Sequence, residues 1–359
     1  MPTAKNAAAA RVNFRMPAEW EPHEATWLAW PHERTDWPGK FAPIPWVYAE
    51  IVRHLTQNER VRMLVQDAAE ENGARRTLKS AGANLAAVDF FRVPTNRGWI
   101  RDFGPIFVRD VEAELTATHW LFNAWAKYDD GDRDAKAVTK LAAQWKKWKI
   151  PVREPKFRGR RVVLEGGGID VNGHGTLMTT EEWLLSAEQV RNPGFTRHDY
   201  EEIFREHFGA THVIWLGRGV AGDDTHGHVD DLARFVDATT VVTVVEQDRS
   251  DANFEPLQEN LARLREMRDQ DGQQLRVVRL PMPAPVYFDG QRLPASYANF
   301  YIANGIVIVP TFNDVNDRVA LNMLAELFPT RRVVGIASQD LVLGLGTLHC
   351  MSQQEPARR

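Results

Sequence analysis

Four glycine-bearing stretches of this 359-residue chain hold its chemistry-capable side chains: residues 96–105 with Asp102, 164–168 with Glu165, 222–231 with Asp224, His226, His228 and Asp230, and 344–354 with Cys350. Cys350 is the only cysteine, so no disulfide can form within the monomer. A lone cysteine is ordinarily a small buried hydrophobe. Here the segment is glycine-rich before the thiol and polar after it, with His349 beside it, whereas a core strand would alternate or run apolar. The thiol therefore reads as a nucleophile, and the separate carboxylates point to a cationic substrate.

If residues 222–231 are extended, Asp224, His226, His228 and Asp230 fall at period two and share one face. Such a set could bind zinc or iron, since imidazole and carboxylate are ordinary ligands, but no HExxH or CxxC pattern accompanies it. It could also be a solvated loop. For acid–base work, a histidine beside an aspartate titrates near neutrality and can give and take a proton in one turnover. Asp102, between Arg101 and Gly104-Pro105, reads on its own as a turn cap or a partner of Arg101. Glu165 follows Val162, Val163 and Leu164 and enters three glycines, where a ligand can meet backbone. Trp99 on its own could be plain core.

The elements that must position these residues are short β-branched runs alternating with amphipathic helices. Strands are expected at 26–30, 61–65, 89–93, 106–109, 119–123, 162–165, 176–179, 212–216, 240–245, 275–280, 300–302, 306–309 and 332–336. Helices are expected at 46–56, 68–80, 134–148, 197–208, 256–268 and 316–327, the last with Val319, Leu321, Leu324, Leu327 and Phe328 as its apolar stripe and Pro329 as its stop. The strand–helix–strand order returns about five times, which suggests a closed ring of α/β modules. No linker divides the chain, so one domain over 1–359 is expected, with residues 1–12 frayed.

A hydrophobic content of 43%, a charged content of 26% and a net charge of −4 describe an ordinary globular chain with no basic surplus for nucleic acid. No apolar stretch approaches a membrane span, and the first residues lack the apolar core of a secretion signal; no membrane partner and a cytoplasmic location are the expectation.

Taken together, residues 16–23 (Met-Pro-Ala-Glu-Trp-Glu-Pro-His), 122–125 (Phe-Asn-Ala-Trp), the four stretches above and 349–354 (His-Cys-Met-Ser-Gln-Gln) resemble the agmatine deiminase family of guanidino-modifying enzymes, in its bacterial agmatine/peptidylarginine deiminase-like branch, over nearly the whole chain. The resemblance implies an α/β fold, the five-fold pseudosymmetric β/α-propeller called a pentein. It implies a hydrolase acting on C–N bonds of linear amidines that turns agmatine into N-carbamoylputrescine and ammonia, a step of polyamine biosynthesis towards putrescine. Residue by residue it makes Cys350 the nucleophile, His228 the general acid and base, Asp102 and Asp230 the pair that grips the guanidinium, and Glu165 the carboxylate that orients His228. It places the substrate's tail at Trp99 and Asp224.

No cofactor or metal is implied. The partner implied is a small cationic guanidino substrate; family members are often dimers, which leaves a homodimer open, since the sequence itself sets no oligomeric state. A planar, forked cation independently suits bidentate carboxylates, and its poorly electrophilic carbon requires a thiolate.

The chain departs from the commonest pattern of that family at Asp224, where glutamate is usual, at His226, where glycine is usual, and at Phe103. These differences leave the deimination machinery untouched and bear on the tail-binding end of the pocket. Arg97, as a carboxylate donor, keeps open a deiminase of free or peptidyl arginine, and an amidinotransferase would use the same thiol intermediate. A non-catalytic propeller used as a binding module and a metal hydrolase are the readings from other classes.

Overall fold

The computed structural model describes residues 14–358, so the expected fraying of residues 1–12 lies outside the described part. β-Branched runs such as Thr240–Val245, buried at every position, form the middle strands of five small sheets that repeat one pattern. In each, a leading strand pairs antiparallel with a second, and the second pairs parallel with a third.

The first blade is Ser352–Pro356, His23–Ala29 and Arg60–Val65, extended by Val88–Arg92. The second is Ile106–Asp110, Leu115–Thr118 and Val152–Arg153, with Phe14–Arg15 added beside its leading strand. The third is Asp170–Val171, Thr176–Thr180 and His212–Leu216. The fourth is Ala233–Phe235, Thr240–Val245 and Arg276–Pro281, and the fifth Tyr301–Ala303, Ile306–Thr311 and Arg332–Ala337.

Parallel neighbours need a crossover, and helices supply it: Ile44–Leu55 and Ala68–Ser80 in the first blade, Ala142–Trp148, Arg197–Phe208, Phe254–Glu266 and Val315–Leu327 in the others. Arg197–Phe208 shows why such limits were readable. Thr196 and Asp199 form a reciprocal capping box at its start, and Gly209 at φ 72° ends it. The leading strand of the first blade comes from the far end of the chain, so Ser352–Pro356 closes the ring onto His23–Ala29.

Several expectations need correction. Residues 119–123 and 162–165 form only an isolated bridge between Leu121 and Val163, and the second blade's strand is instead Leu115–Thr118. The helix expected over 134–148 is three pieces, a 3-10 turn Asp134–Lys136 and helices Ala137–Lys140 and Ala142–Trp148, with Leu141 leaving helical geometry between them. On Val315–Leu327 the buried residues are Ala320 and Leu324, while Val319 is exposed. The strand Ser352–Pro356 was not expected, because Ser-Gln-Gln-Glu-Pro reads as polar; it is buried throughout.

Candidate active site

Each leading strand is entered through a short turn, and the five turns carry the functional side chains to one place. Asp102 lies in the helical turn Ile100–Phe103 before the second blade, and Glu165 precedes the 3-10 turn Gly166–Gly168 before the third. His228 and Asp230 flank and enter the turn Val229–Asp231 before the fourth. Asn299 precedes the fifth, and Cys350 precedes Ser352–Pro356. Backbone contacts join neighbouring turns: Arg101 N–H donates to Cys350 O at 3.2 Å, and His349 N–H donates to Asn299 O at 3.1 Å.

The Cys350 sulfur lies 3.4 Å from Asp230 Oδ2 and accepts from Asn299 Nδ2 at 3.1 Å. His228 is buried with Nδ1 3.8 Å from Asp102 Oδ1 and Nε2 3.7 Å from Glu165 Oε2, beyond hydrogen-bond range. Among the described residues, neither ring nitrogen, nor Asp230 Oδ1, has a hydrogen-bond partner, although all three atoms are buried. Buried polar atoms are normally paired, so these mark where a ligand's polar atoms fit.

Gly167 makes room for that ligand. A Cβ there would lie 2.7 Å from His228 Nδ1, 2.9 Å from Asp102 Oδ1 and 3.1 Å from Asp230 Oδ2. Its N–H donates to Asp102 Oδ1 at 3.0 Å, while Trp125 Nε1 donates to Asp102 Oδ2 at 2.8 Å.

The electrostatics follow from burial and these neighbours. Burial resists charge on Glu165, yet Arg191 and His228 hold its carboxyl down to about 2; Arg191 Nε and Trp183 Nε1 donate to it at 3.0 and 2.7 Å. Burial likewise opposes an imidazolium at His228, but Asp102 and Glu165 hold it up to about 9. Burial pushes Asp102 up to about 6. Burial resists ionisation of Asp230 too, and His349, donating from Nδ1 at 2.8 Å, keeps it below the usual value. The thiol of Cys350 is pushed well above its ordinary value by burial, then by Asp230, Asp231 and Asp102. A bound cation would oppose those carboxylate charges.

A cavity of about 440 Å³ opens above the sulfur. Cys350 and Asp102 line it below, with Trp99, Trp125, Tyr128, Leu343 and Gly346 along its walls and Asp36, Asp224 and Asp289 also facing it. Trp99 donates from Nε1 to Asp36 Oδ2 at 3.1 Å and packs on Trp37, with ring centroids 5.6 Å apart. Arg97 is held by Asp36 and by Asp130 at 3.2 Å. Asp224 lies between Lys127 and the Tyr128 hydroxyl.

The structure brings Cys350, His228, Asp102, Asp230 and Glu165 together, and puts Trp99 and Asp224 in the cavity above. It does not place Asp224, His226, His228 and Asp230 on one extended face. His226 and Gly227 have φ of 66° and 96°, so the chain turns and His226 meets Ser186 Oγ at 3.0 Å, away from the cavity. Among the described residues, the group with metal-ligand geometry is instead Asp230, Asp231 and Cys350.

Sequence reading missed Asn299. Its side chain donates to Cys350 Sγ and to Asp231 Oδ1, the latter at 3.0 Å, and accepts from Thr347 Oγ1 at 2.8 Å and His349 N at 3.0 Å. The one signal was an amide inside the run Tyr297-Ala298-Asn299-Phe300-Tyr301. Arg191, which charges Glu165, carried no signal at all.

A family model described as Porphyromonas-type peptidyl-arginine deiminase matches residues 15–356. An agmatine deiminase of Ectopseudomonas mendocina (strain ymp) is 34% identical over 96% of each chain. Among solved structures, an agmatine deiminase of Enterococcus faecalis superposes with a TM-score of 0.87 at 31% identity, over 97% of each chain. An amidinotransferase from Microseira wollei superposes at 0.51 with 12% identity over 97% of each, a likeness of fold alone, and the shared architecture is the five-bladed pentein propeller.

Proposed function

The chain belongs to the Porphyromonas-type peptidyl-arginine deiminase family, and from that membership we propose that it hydrolyses a guanidino substrate, agmatine, to N-carbamoylputrescine and ammonia. It acts as a hydrolase on the C–N bond of a linear amidine. The observation that carries this reading is the convergence of Cys350 Sγ, Asp230, Asp102 and the unpaired His228 around the space that a side chain at Gly167 would fill.

The guanidinium lies between Asp102 and Asp230, whose carboxylates match its forked donors. Its positive charge offsets the carboxylates that hold the Cys350 thiol protonated, so the thiolate forms when substrate is bound and the thiol proton leaves to solvent. Cys350 then adds to the guanidinium carbon. His228, already an imidazolium at neutral pH, gives its proton to the departing nitrogen, and ammonia leaves an S-alkylthiouronium on Cys350. The neutral imidazole takes a proton from water as the oxygen adds to that carbon. Collapse breaks the C–S bond as the hydroxyl proton passes to the departing sulfur, releasing the neutral ureido product and restoring the Cys350 thiol. Glu165, fixed by Arg191 and Trp183, keeps the His228 ring in place and supports its charge. The substrate's tail runs past Trp99 towards the acidic mouth.

The test measures ammonia and ureido product from agmatine, free arginine and a blocked arginine peptide in parallel. Agmatine is expected to have the highest kcat/KM, and Cys350→Ser is expected to lose all three activities while keeping the parent's melting temperature within a few degrees. Preference for arginine or the peptide would reassign the substrate. Near-normal turnover by Cys350→Ser would remove the covalent mechanism.

A further inference from the structure

The acidic mouth contains three carboxylates, and they are not equally available. Asp36 is held by Arg97 and Trp99. Asp224 has Oδ1 on the Lys127 ammonium and Oδ2 on the Tyr128 hydroxyl, so its charge is already compensated from the rim. Asp289 faces the same cavity without a cation partner, hydrogen bond or ion pair among the described residues.

Asp289 also stands on a hairpin tied to its neighbours. It forms, with Gly290, the tip of the hairpin Tyr287–Phe288 and Gln291–Arg292, at φ of 49° and 78°. Two positive φ values in a two-residue Asp-Gly turn are the type I′ geometry that suits a hairpin's twist. Arg292 ties the hairpin down by donating to Asp251 Oδ1 at 2.8 Å. The hairpin also packs on the loop that leads to His228, where a Cβ at Gly222 would sit 2.6 Å from Arg292 O. Phe288, next to the tip, faces the cavity as well and gives a cation an aromatic surface.

We propose that Asp289, with Phe288 beside it, is the residue that binds the substrate's distal ammonium and sets the preference for amine-tailed guanidines, Asp224 being occupied by Lys127. This rests on the deiminase reading of the site. It moves the discriminating contact from the loop before His228 to the hairpin between the fourth and fifth blades. The substrate class follows as a primary or secondary amine separated by a short alkyl chain from the guanidino group. An exposed carboxylate acts through charge, so the discrimination weakens as salt rises.

The test compares agmatine with butylguanidine, which has the same chain length and no ammonium, in the parent, Asp289→Asn and Asp224→Asn. Asparagine keeps the shape of aspartate and tolerates positive φ, so the hairpin is preserved. For Asp289→Asn, KM for agmatine relative to that for butylguanidine is expected to rise about three- to tenfold, with a smaller change for Asp224→Asn and a smaller parent preference at 0.5 M than at 0.05 M NaCl, as for one partly screened charge contact. An unchanged ratio in Asp289→Asn, or a larger change in Asp224→Asn, would overturn the assignment while ammonia release continues. Failure of the underlying reading looks different: the unsubstituted protein would release no ammonia from either guanidine.

Discussion

At the residue scale, the site combines a thiol that resists ionisation with an imidazole that resists losing its proton: burial and then Asp230, Asp231 and Asp102 hold the thiol, while Asp102, Glu165 and Asp230 hold the imidazolium against burial. In the substrate-free protein at neutral pH the pair is therefore thiol and imidazolium. The sign of the pH dependence follows, since negative neighbours disfavour a thiolate and their removal favours it. Alkylation of Cys350 by neutral iodoacetamide is expected to be slow at pH 7, to climb only as pH passes the ordinary thiol range, and to be several-fold faster at pH 8 in Asp230→Asn. Mass spectrometry of quenched samples reads this directly, and a thiol that alkylates at pH 7 as fast as free cysteine would contradict it. The residue types that the structure brings together were singled out in the sequence because a guanidinium would demand them. Asn299 was not, because an amide among aromatics gains meaning only when Cys350 arrives beside it.

Among elements, the turns entering the blades do the positioning, and a strained turn within the second blade, between Leu115–Thr118 and Val152–Arg153, supports one of them. Ala124, Trp125 and Ala126 have φ of 51°, 57° and 52°, a left-handed run without glycine. The run aims Trp125 Nε1 at Asp102, and the two residues after it, Lys127 and Tyr128, meet Asp224. An L-residue in this region costs about 1–2 kcal/mol relative to its right-handed form, which glycine largely avoids. Ala126→Gly is therefore expected to stabilise the protein by about 0.5–1 kcal/mol, read as a higher urea midpoint at unchanged slope. A lower midpoint would show that the left-handed run is not strained. Sequence could not show this, since Ala-Trp-Ala carries no turn signal. By contrast, the helices Ala68–Ser80 and Arg197–Phe208 have the limits that were expected, because their caps are local.

For the whole molecule, the place of Cys350 depends on ring closure. Cys350 stands two residues before Ser352–Pro356, which pairs with His23–Ala29 from the other end of the chain. The closing strand is anchored inside by Glu355, which pairs with Arg62 and accepts from Trp27 Nε1 at 3.0 Å, while the Arg62 guanidinium lies 3.7 Å above the Trp148 ring. Removing one partner of a buried pair leaves the other's charge uncompensated, at a cost of about 3–5 kcal/mol. Arg62→Leu is expected to lose that much in urea unfolding and to lower kcat through the loosened Cys350 turn, although Arg62 touches no part of the cavity. A variant as stable as the parent would show that the ring closes without this anchor.

Local chemistry in the chain was enough to identify the alternation of strands and helices, the capped helix limits, the cysteine, histidine and acids of the candidate site, and the family resemblance that joins them. These depend on side-chain type and on neighbours a few positions away, where hydrophobic period and capping act. Tertiary structure alone decided that five turns far apart in sequence meet at one point, that polar Ser352–Pro356 is buried, that His226 turns away, and that Lys127 occupies Asp224 while Asp289 has no partner among the described residues. Those outcomes depend on charge pairing and burial across the ring, between residues whose separation in the chain carries no information about their distance in space.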